Sequence, residues 1–179
     1  MRDNPNNNQI MKRKFIPLVV ITVLLAAVAC NPAKKYEEDE RSQIEGFIAS
    51  HSITVDPDVN GLYYIELTSG TGEKIADGDS LGVYYVGKFL DGEVFDSNLE
   101  EDSPFRFRLG SVGLIEGWNI GLKNMRAGTK AQLLIPSKLA YGSMGYGYYD
   151  YYGRYITLIP GYTPLFFEIE IVDLVKDGK

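Results

Sequence analysis

Among 179 residues there is one cysteine, Cys30, and one histidine, His51. Thiol relays, Cys/His metal cages and Ser/His catalysis need more such groups than that, so any chemistry must come from other side chains. A lone cysteine also leaves no disulfide to close within the chain. Aromatic residues are plentiful: 13 Tyr, 8 Phe and one Trp. They build apolar walls and offer hydroxyl donors, but no strong base or nucleophile at neutral pH. Taken singly the candidates are ordinary. Trp118, three residues on from Ile115, reads as helix core; Phe105 and Phe107 read as inside; Asp96 after Phe95 reads as a turn residue.

The elements that position these residues follow from periodicity. Leu81, Val83, Tyr85, Gly87 and Phe89 fall on one face of a strand, and Asp91-Gly92 marks a tight hairpin. Phe105, Phe107 and Leu109 alternate with Arg106 and Arg108; Ala131, Leu133 and Ile135 alternate with Gln132 and Leu134; Leu165, Phe167, Ile169 and Ile171 alternate with Glu168 and Glu170. Inside this region only Ile115, Trp118, Leu122 and Met125 share a helical face, with Gly128 placed to end the helix. One apolar stripe is buried most simply by a curved antiparallel sheet wrapping it, which predicts an α+β domain of about five antiparallel strands and one short helix.

The N-terminus reads as an address. From Met11, three basic residues precede an apolar run from Phe15 to Ala29, the layout of a signal peptide beginning at Met11 rather than Met1. The run is shorter than the roughly 20 residues a membrane span needs. Ala27-Val28-Ala29-Cys30 resembles a bacterial lipobox, which implies lipidation of Cys30 and a location in the cell envelope, anchored to a membrane, with the outer membrane favoured. Residues 1–29 are then removed. Residues 30–58 read as an acidic tether holding a short amphipathic helix within 38–50, where Ile44, Phe47 and Ile48 recur at helical spacing. His51 after it reads as an exposed linker histidine. The domain proper spans 59–179. Lys and Arg total 18 against 24 Asp and Glu; loss of residues 1–29 leaves 14 against 23, which excludes a nucleic-acid partner because nothing replaces the counterions of a phosphate backbone.

Five stretches, in order, together resemble the FKBP-type peptidyl-prolyl cis/trans isomerases: YYVGKFLDGEVFDS from Tyr84, PFRFRLG from Pro104, LIEGWNIGLKNMRAG from Leu114, LAYG from Leu139 and PLFFEIEIVDL from Pro164. The resemblance implies an α+β half-barrel, a curved antiparallel sheet of five to six strands wrapped around one short helix, with a prolyl pocket between them. Tyr85, Phe95, Asp96, Trp118, Tyr141 and Phe167 would carry isomerisation, and Phe105, Leu114, Ile115, Leu158 and Ile159 would bind substrate. Trp118 would form the floor, and the Ile115 N–H and Tyr141 hydroxyl would bind substrate carbonyls. It further implies a cofactor-free enzyme acting on X-Pro bonds of extracytoplasmic polypeptides, and a pocket open to macrolide-type inhibitors.

Two departures stand out. Glu101 occupies a position where many family members carry an arginine that pairs with the pocket aspartate, predicting a different arrangement around Asp96. The segment from Tyr141 to Pro160 is longer than in the minimal family domain and holds Tyr146, Tyr148, Tyr149, Tyr151, Tyr152 and Tyr155. A lid, a peptide platform, a dimer contact and a self-packed loop all fit that composition, with partner contact favoured. The rival to an isomerase is a catalytically weak peptide-binding or chaperone module on the same anchor.

Overall fold

Residues 32–178 are described by a computed structural model, so the signal stretch and Cys30 lie outside the described residues. The chain divides after Tyr36, and the unit from Glu37 onward contains every strand. A helix, α1, runs from Pro32 to Ser50. It starts earlier than the apolar spacing over 38–50 predicts, because Ala, Lys, Glu and Arg sustain a helix without a buried face and proline suits its first position. His51 is exposed, as expected, and it is tied to the end of α1: its backbone N–H donates to the Phe47 carbonyl at 3.0 Å and its ring stacks on Phe47 at 3.9 Å.

Strands β1 (Tyr63–Thr68), β2 (Ser80–Lys88), β3 (Val94–Ser97), β4 (Phe105–Arg108) and β5 (Lys130–Ile135) join β8 (Leu165–Val175) in one antiparallel sheet. Its order is β1-β5-β8-β2-β3, with β4 pairing β2. β2 is the hub: β8 runs along its full length on one side, while β4 and β3 share the other. The Asp91-Gly92 turn closes as the sequence predicts, with Gly92 at φ +97° and the Glu93 N–H donating to the Asp91 carboxylate at 3.0 Å.

The sheet has two apolar faces. Leu133 pairs with Phe167 and Leu134 with Phe166, so neighbours in sequence point to opposite sides. Leu133, Ile135, Phe167 and Ile169 pack on one side with Trp118, Leu122 and Met125; Leu134 and Phe166 pack on the other with Phe47, Ile44 and Ile48 of α1. The inner helix, α2, spans Glu116–Gly121 and tightens into a 3-10 turn over Leu122–Asn124. Met125 has already left the helix at φ −95°, ψ 170°, so the periodicity that predicts a helix through it identifies its burial and not its conformation. Gly128, at φ +87°, turns the chain into β5 instead of capping α2. A Cβ at Gly117 would meet Ile135 at 2.4 Å and one at Gly121 would meet Leu133 at 2.6 Å, so only glycines let α2 lie this close to β5.

The tyrosine-rich segment forms strands β6 (Tyr146–Tyr149) and β7 (Tyr155–Ile159), a two-stranded sheet of its own. Asp150 closes its turn, accepting the N–H groups of Tyr152 and Arg154 at 2.9 and 2.8 Å and pairing with the Arg154 guanidinium. No helix among the described residues is long and apolar enough to cross a membrane.

Candidate functional site

Tyr85 on β2, Phe95 and Asp96 on β3, Phe105 at the start of β4, Phe167 on β8 and Trp118 on α2 come together at the open end of the half-barrel. With Gly113, Leu114, Ile115 and Tyr141 they line one cavity of about 160 Å³. Trp118 is its buried floor, 4% exposed. Around it the rings meet edge to face: Tyr85 at 5.2 Å and 84°, Phe167 at 5.4 Å and 83°, Phe105 at 6.5 Å and 69°. Phe95 stands at 89° to Phe167, 5.6 Å away. Such packing sets ring edges against ring faces and leaves a rigid apolar wall.

Local backbone explains the convergence. β3 pairs with β2 through Val86–Ser97 and Gly87–Asp96, then slips before Lys88–Val94. That irregularity falls at Phe95 and turns its ring towards Phe167. Gly87 makes room: a Cβ there would lie 2.7 Å from the Phe95 ring and 2.8 Å from the Phe167 ring. Asn98, 7% exposed, fastens the other end. Its Oδ1 accepts the Tyr85 backbone N–H at 2.8 Å and its Nδ2 donates to the Val83 carbonyl at 3.0 Å. Nothing in the periodicity flags Asn98, since both partners lie on another strand.

The polar groups at the rim are few. The Tyr85 hydroxyl donates to Asp96 Oδ2 at 2.7 Å, while Glu101 is exposed and makes no side-chain contact with Asp96. Burial, then the hydrogen bond to Asp96 and its charge, push the Tyr85 hydroxyl far above tyrosine's ordinary value. Burial also raises Tyr141, helped by Tyr146 and Asp96. Both hydroxyls are therefore neutral donors throughout the physiological range. Among the described residues, the Tyr141 hydroxyl and the Ile115 N–H at the start of α2 have no protein acceptor, and both border the cavity. The Trp118 Nε1 is buried and meets no acceptor among the described residues.

Leu158 and Ile159 do not line this cavity. Leu158 is 48% exposed and Ile159 is buried in the core, and both border an adjoining groove of about 480 Å³ with Phe89, Glu93, Val94 and Tyr146. Phe95, Asp96 and Tyr141 form the ridge common to groove and cavity. Tyr146 stacks on Tyr141 at 5.0 Å, the ring contact that joins the β6–β7 hairpin to the cavity wall. No group of three His, Cys, Asp or Glu side chains able to hold a metal ion occurs among the described residues.

Comparison with known proteins agrees with this geometry. The sequence profile described as FKBP-type peptidyl-prolyl cis-trans isomerase matches residues 71–172. The chain is 35% identical over 151 residues to the FKBP-type peptidyl-prolyl cis-trans isomerase FkpA of Escherichia coli, covering 84% of this chain and 49% of that protein. It is 31% identical over 143 residues to FK506-binding protein 4 of Emericella nidulans, covering 80% of this chain and 28% of the relative, and so spans well under two thirds of either protein. Among solved structures, a peptidyl-prolyl cis-trans isomerase from Pseudomonas syringae pv. tomato is similar with a TM-score of 0.63 and 34% identity, over 83% of this chain and 99% of that one. E. coli FkpA follows at a TM-score of 0.64 and 30% identity, over 89% and 70%. Profile, relatives and fold coincide on the segment that builds the aromatic cavity, and the chain belongs to the FKBP-type peptidyl-prolyl cis-trans isomerase family.

Proposed function

We propose that the chain isomerises X-Pro bonds of extracytoplasmic polypeptides, held at a membrane surface by a lipid on Cys30. The observation that carries the enzymatic part is the ring-walled cavity with two unspent donors, Tyr141 hydroxyl and Ile115 N–H, at its rim.

A peptide C–N bond resists rotation by about 18–20 kcal/mol because of its partial double-bond character, and X-Pro is the bond for which both isomers are populated. At the twisted midpoint the resonance is broken, so carbonyl oxygen and nitrogen carry less opposite charge than in the plane. Water favours the more dipolar planar amide. A cavity walled by Tyr85, Phe95, Phe105, Trp118 and Phe167 removes that preference, and so binds the twisted form relatively better. The two rim donors hold flanking carbonyls while the imide turns, and Asp96, fixed by Tyr85, orients the chain at the entrance. No step needs an acid, base or nucleophile. The same cavity is the place where a macrolide-type inhibitor would compete.

Exchange NMR on an X-Pro peptide tests the reading. Catalysed exchange, suppressed by a macrolide competitor and by Phe95→Ala, is the expected result; binding of the peptide with no exchange would favour the rival, a chaperone or binding module, which the wider groove beside the cavity suits. The anchor is tested in a bacterial host fed labelled fatty acid. Label and membrane partition are expected for the full chain and lost in Cys30→Ala; partition retained in that variant would remove the lipid from the proposal.

A further inference from the structure

Glu40 lies in α1, 97 residues from its partners, yet it is only 9% exposed. Its Oε1 accepts the Ser137 backbone N–H at 2.5 Å and its Oε2 accepts the Ser137 hydroxyl at 2.7 Å. A carboxylate buried in this way would be costly to hold without both donors. Ser137 opens the 3-10 turn Ser137–Leu139 just after β5, where the residue before it, Pro136, supplies no side-chain cap. The Ser137 N–H would otherwise be an orphan of that turn.

What Ser137 does next gives the contact its meaning. Its carbonyl accepts the N–H groups of both Ala140 and Gly142, each at 2.8 Å, so the two residues flanking Tyr141 hang from one peptide unit. From the far side the Gly142 carbonyl accepts the Tyr162 N–H at 2.8 Å. Donor, acceptor and hydroxyl of Ser137 are thus all committed, and Glu40 takes two of the three. We infer that Glu40 is a positioning residue for the isomerase site: by fixing Ser137 from outside the half-barrel, it sets where the Tyr141 hydroxyl stands at the cavity rim.

The inference rests on the proposed role of Tyr141 as a donor to a substrate carbonyl. A donor of that kind holds the planar substrate as much as the twisted one, so its displacement is read mainly in KM. Packing of α1 on the sheet is a separate matter, since Ile44, Phe47 and Phe166 provide it.

Three variants of the full chain separate the two. Glu40→Ala is expected to raise KM for an X-Pro peptide about fivefold with kcat little changed. Glu40→Gln, which still offers an acceptor to the Ser137 N–H, is expected to recover most of the loss. Ile44→Ala trims the packing of α1 but keeps the Glu40 carboxylate, and is expected to raise KM much less than Glu40→Ala does. An unchanged KM in Glu40→Ala, or an equal rise in Ile44→Ala, would overturn the inference. If Glu40→Ala does not fold, Ser137→Ala takes its place: a smaller rise in KM supports the assignment, and none refutes it. If the wild-type chain shows no turnover, the NMR signals of the Tyr141 ring decide; a shift in Glu40→Ala that Ile44→Ala lacks sustains the positioning role while the proposed activity falls, and no shift ends both.

Discussion

The Tyr85 hydroxyl donates to Asp96 across the mouth of the cavity, 2.7 Å from oxygen to oxygen, and joins the central strand to the short one beside it. Asp96 is exposed, so the bond adds only about 1 kcal/mol or less to stability. Its value is geometric. Tyr85→Phe is expected to leave the unfolding midpoint nearly unchanged and lower kcat/KM by about tenfold or less, measured side by side by calorimetry and exchange NMR. A loss of stability larger than the loss of activity would make the pair a structural clip.

The raised hydroxyls of Tyr85 and Tyr141 give a pH prediction. A folded-state value above the unfolded one means that the stabilisation is complete below the ordinary tyrosine value of 10.0 and is lost as pH climbs from there towards the folded value. Ultraviolet titration is expected to show a late class of tyrosine ionisation that appears together with unfolding. Turnover is expected to be flat between about pH 6 and 9, since neither rim donor changes charge there.

Trp118 carries two opposed costs. Its ring is the buried floor, so Trp118→Ala is expected to remove about 3–5 kcal/mol of stability and nearly all turnover. Its Nε1 has no acceptor among the described residues, so Trp118→Phe discards an unpaired donor along with the smaller ring and is expected to lose less than about 2 kcal/mol. Chemical denaturation of the two variants checks the difference. Phe95→Ala, at a half-buried ring, is expected to cost more activity than replacement of any single exposed carboxylate.

Gly87 is held to its identity by the Phe95 and Phe167 rings, not by its φ angle. Gly87→Ala is expected to destabilise by about 1–3 kcal/mol and to broaden or shift the ring signals of both phenylalanines. Unchanged ring signals would mean that the wall yields more easily than its packing indicates.

At the far end of β2, Asp79 is 1% exposed and takes the Lys176 ammonium at 2.6 Å with the N–H groups of Ala76 at 2.8 Å and Asp177 at 3.0 Å. Burial pushes its carboxyl upwards, but the Lys176 hydrogen bond and the two N–H groups outweigh it, and the carboxyl stays below its ordinary value of 3.8. A depressed value means stability that is present above the ordinary value and drains away as pH falls through the folded one. Acid titration followed by circular dichroism is expected to show that loss beginning below about pH 4, and Asp79→Asn is expected to flatten it.

Much of this was legible before any coordinates. The alternation in Leu81–Phe89, Phe105–Leu109, Ala131–Ile135 and Leu165–Ile171 marks strands because each turns a face to the core, although Phe105, expected inside with Phe107, is 43% exposed because it stands at the cavity wall where no element covers it. Trp118 marks the inner helix for the same reason. The gathering of the rings around one cavity is not in any of these patterns, and only the family resemblance implies it. Elements without a wet and a dry side stayed dark: the first half of α1 buries almost nothing, and the β6–β7 hairpin carries tyrosines on both faces. Asn98 and Glu40 stayed dark for another reason, because a polar contact is a pairing between particular atoms across 13 to 97 residues and leaves no period behind it.

The two tyrosine-bearing strands share no ladder with the six-stranded sheet. Residues can therefore be added to the tip of that hairpin, between Tyr149 and Tyr155, or exchanged within it while the register of the larger sheet stays put. Under the proposed function the tip is then free to drift in length and composition, whereas its base is tied through Tyr146 to the Tyr141 wall and shares the fate of the scaffold beneath.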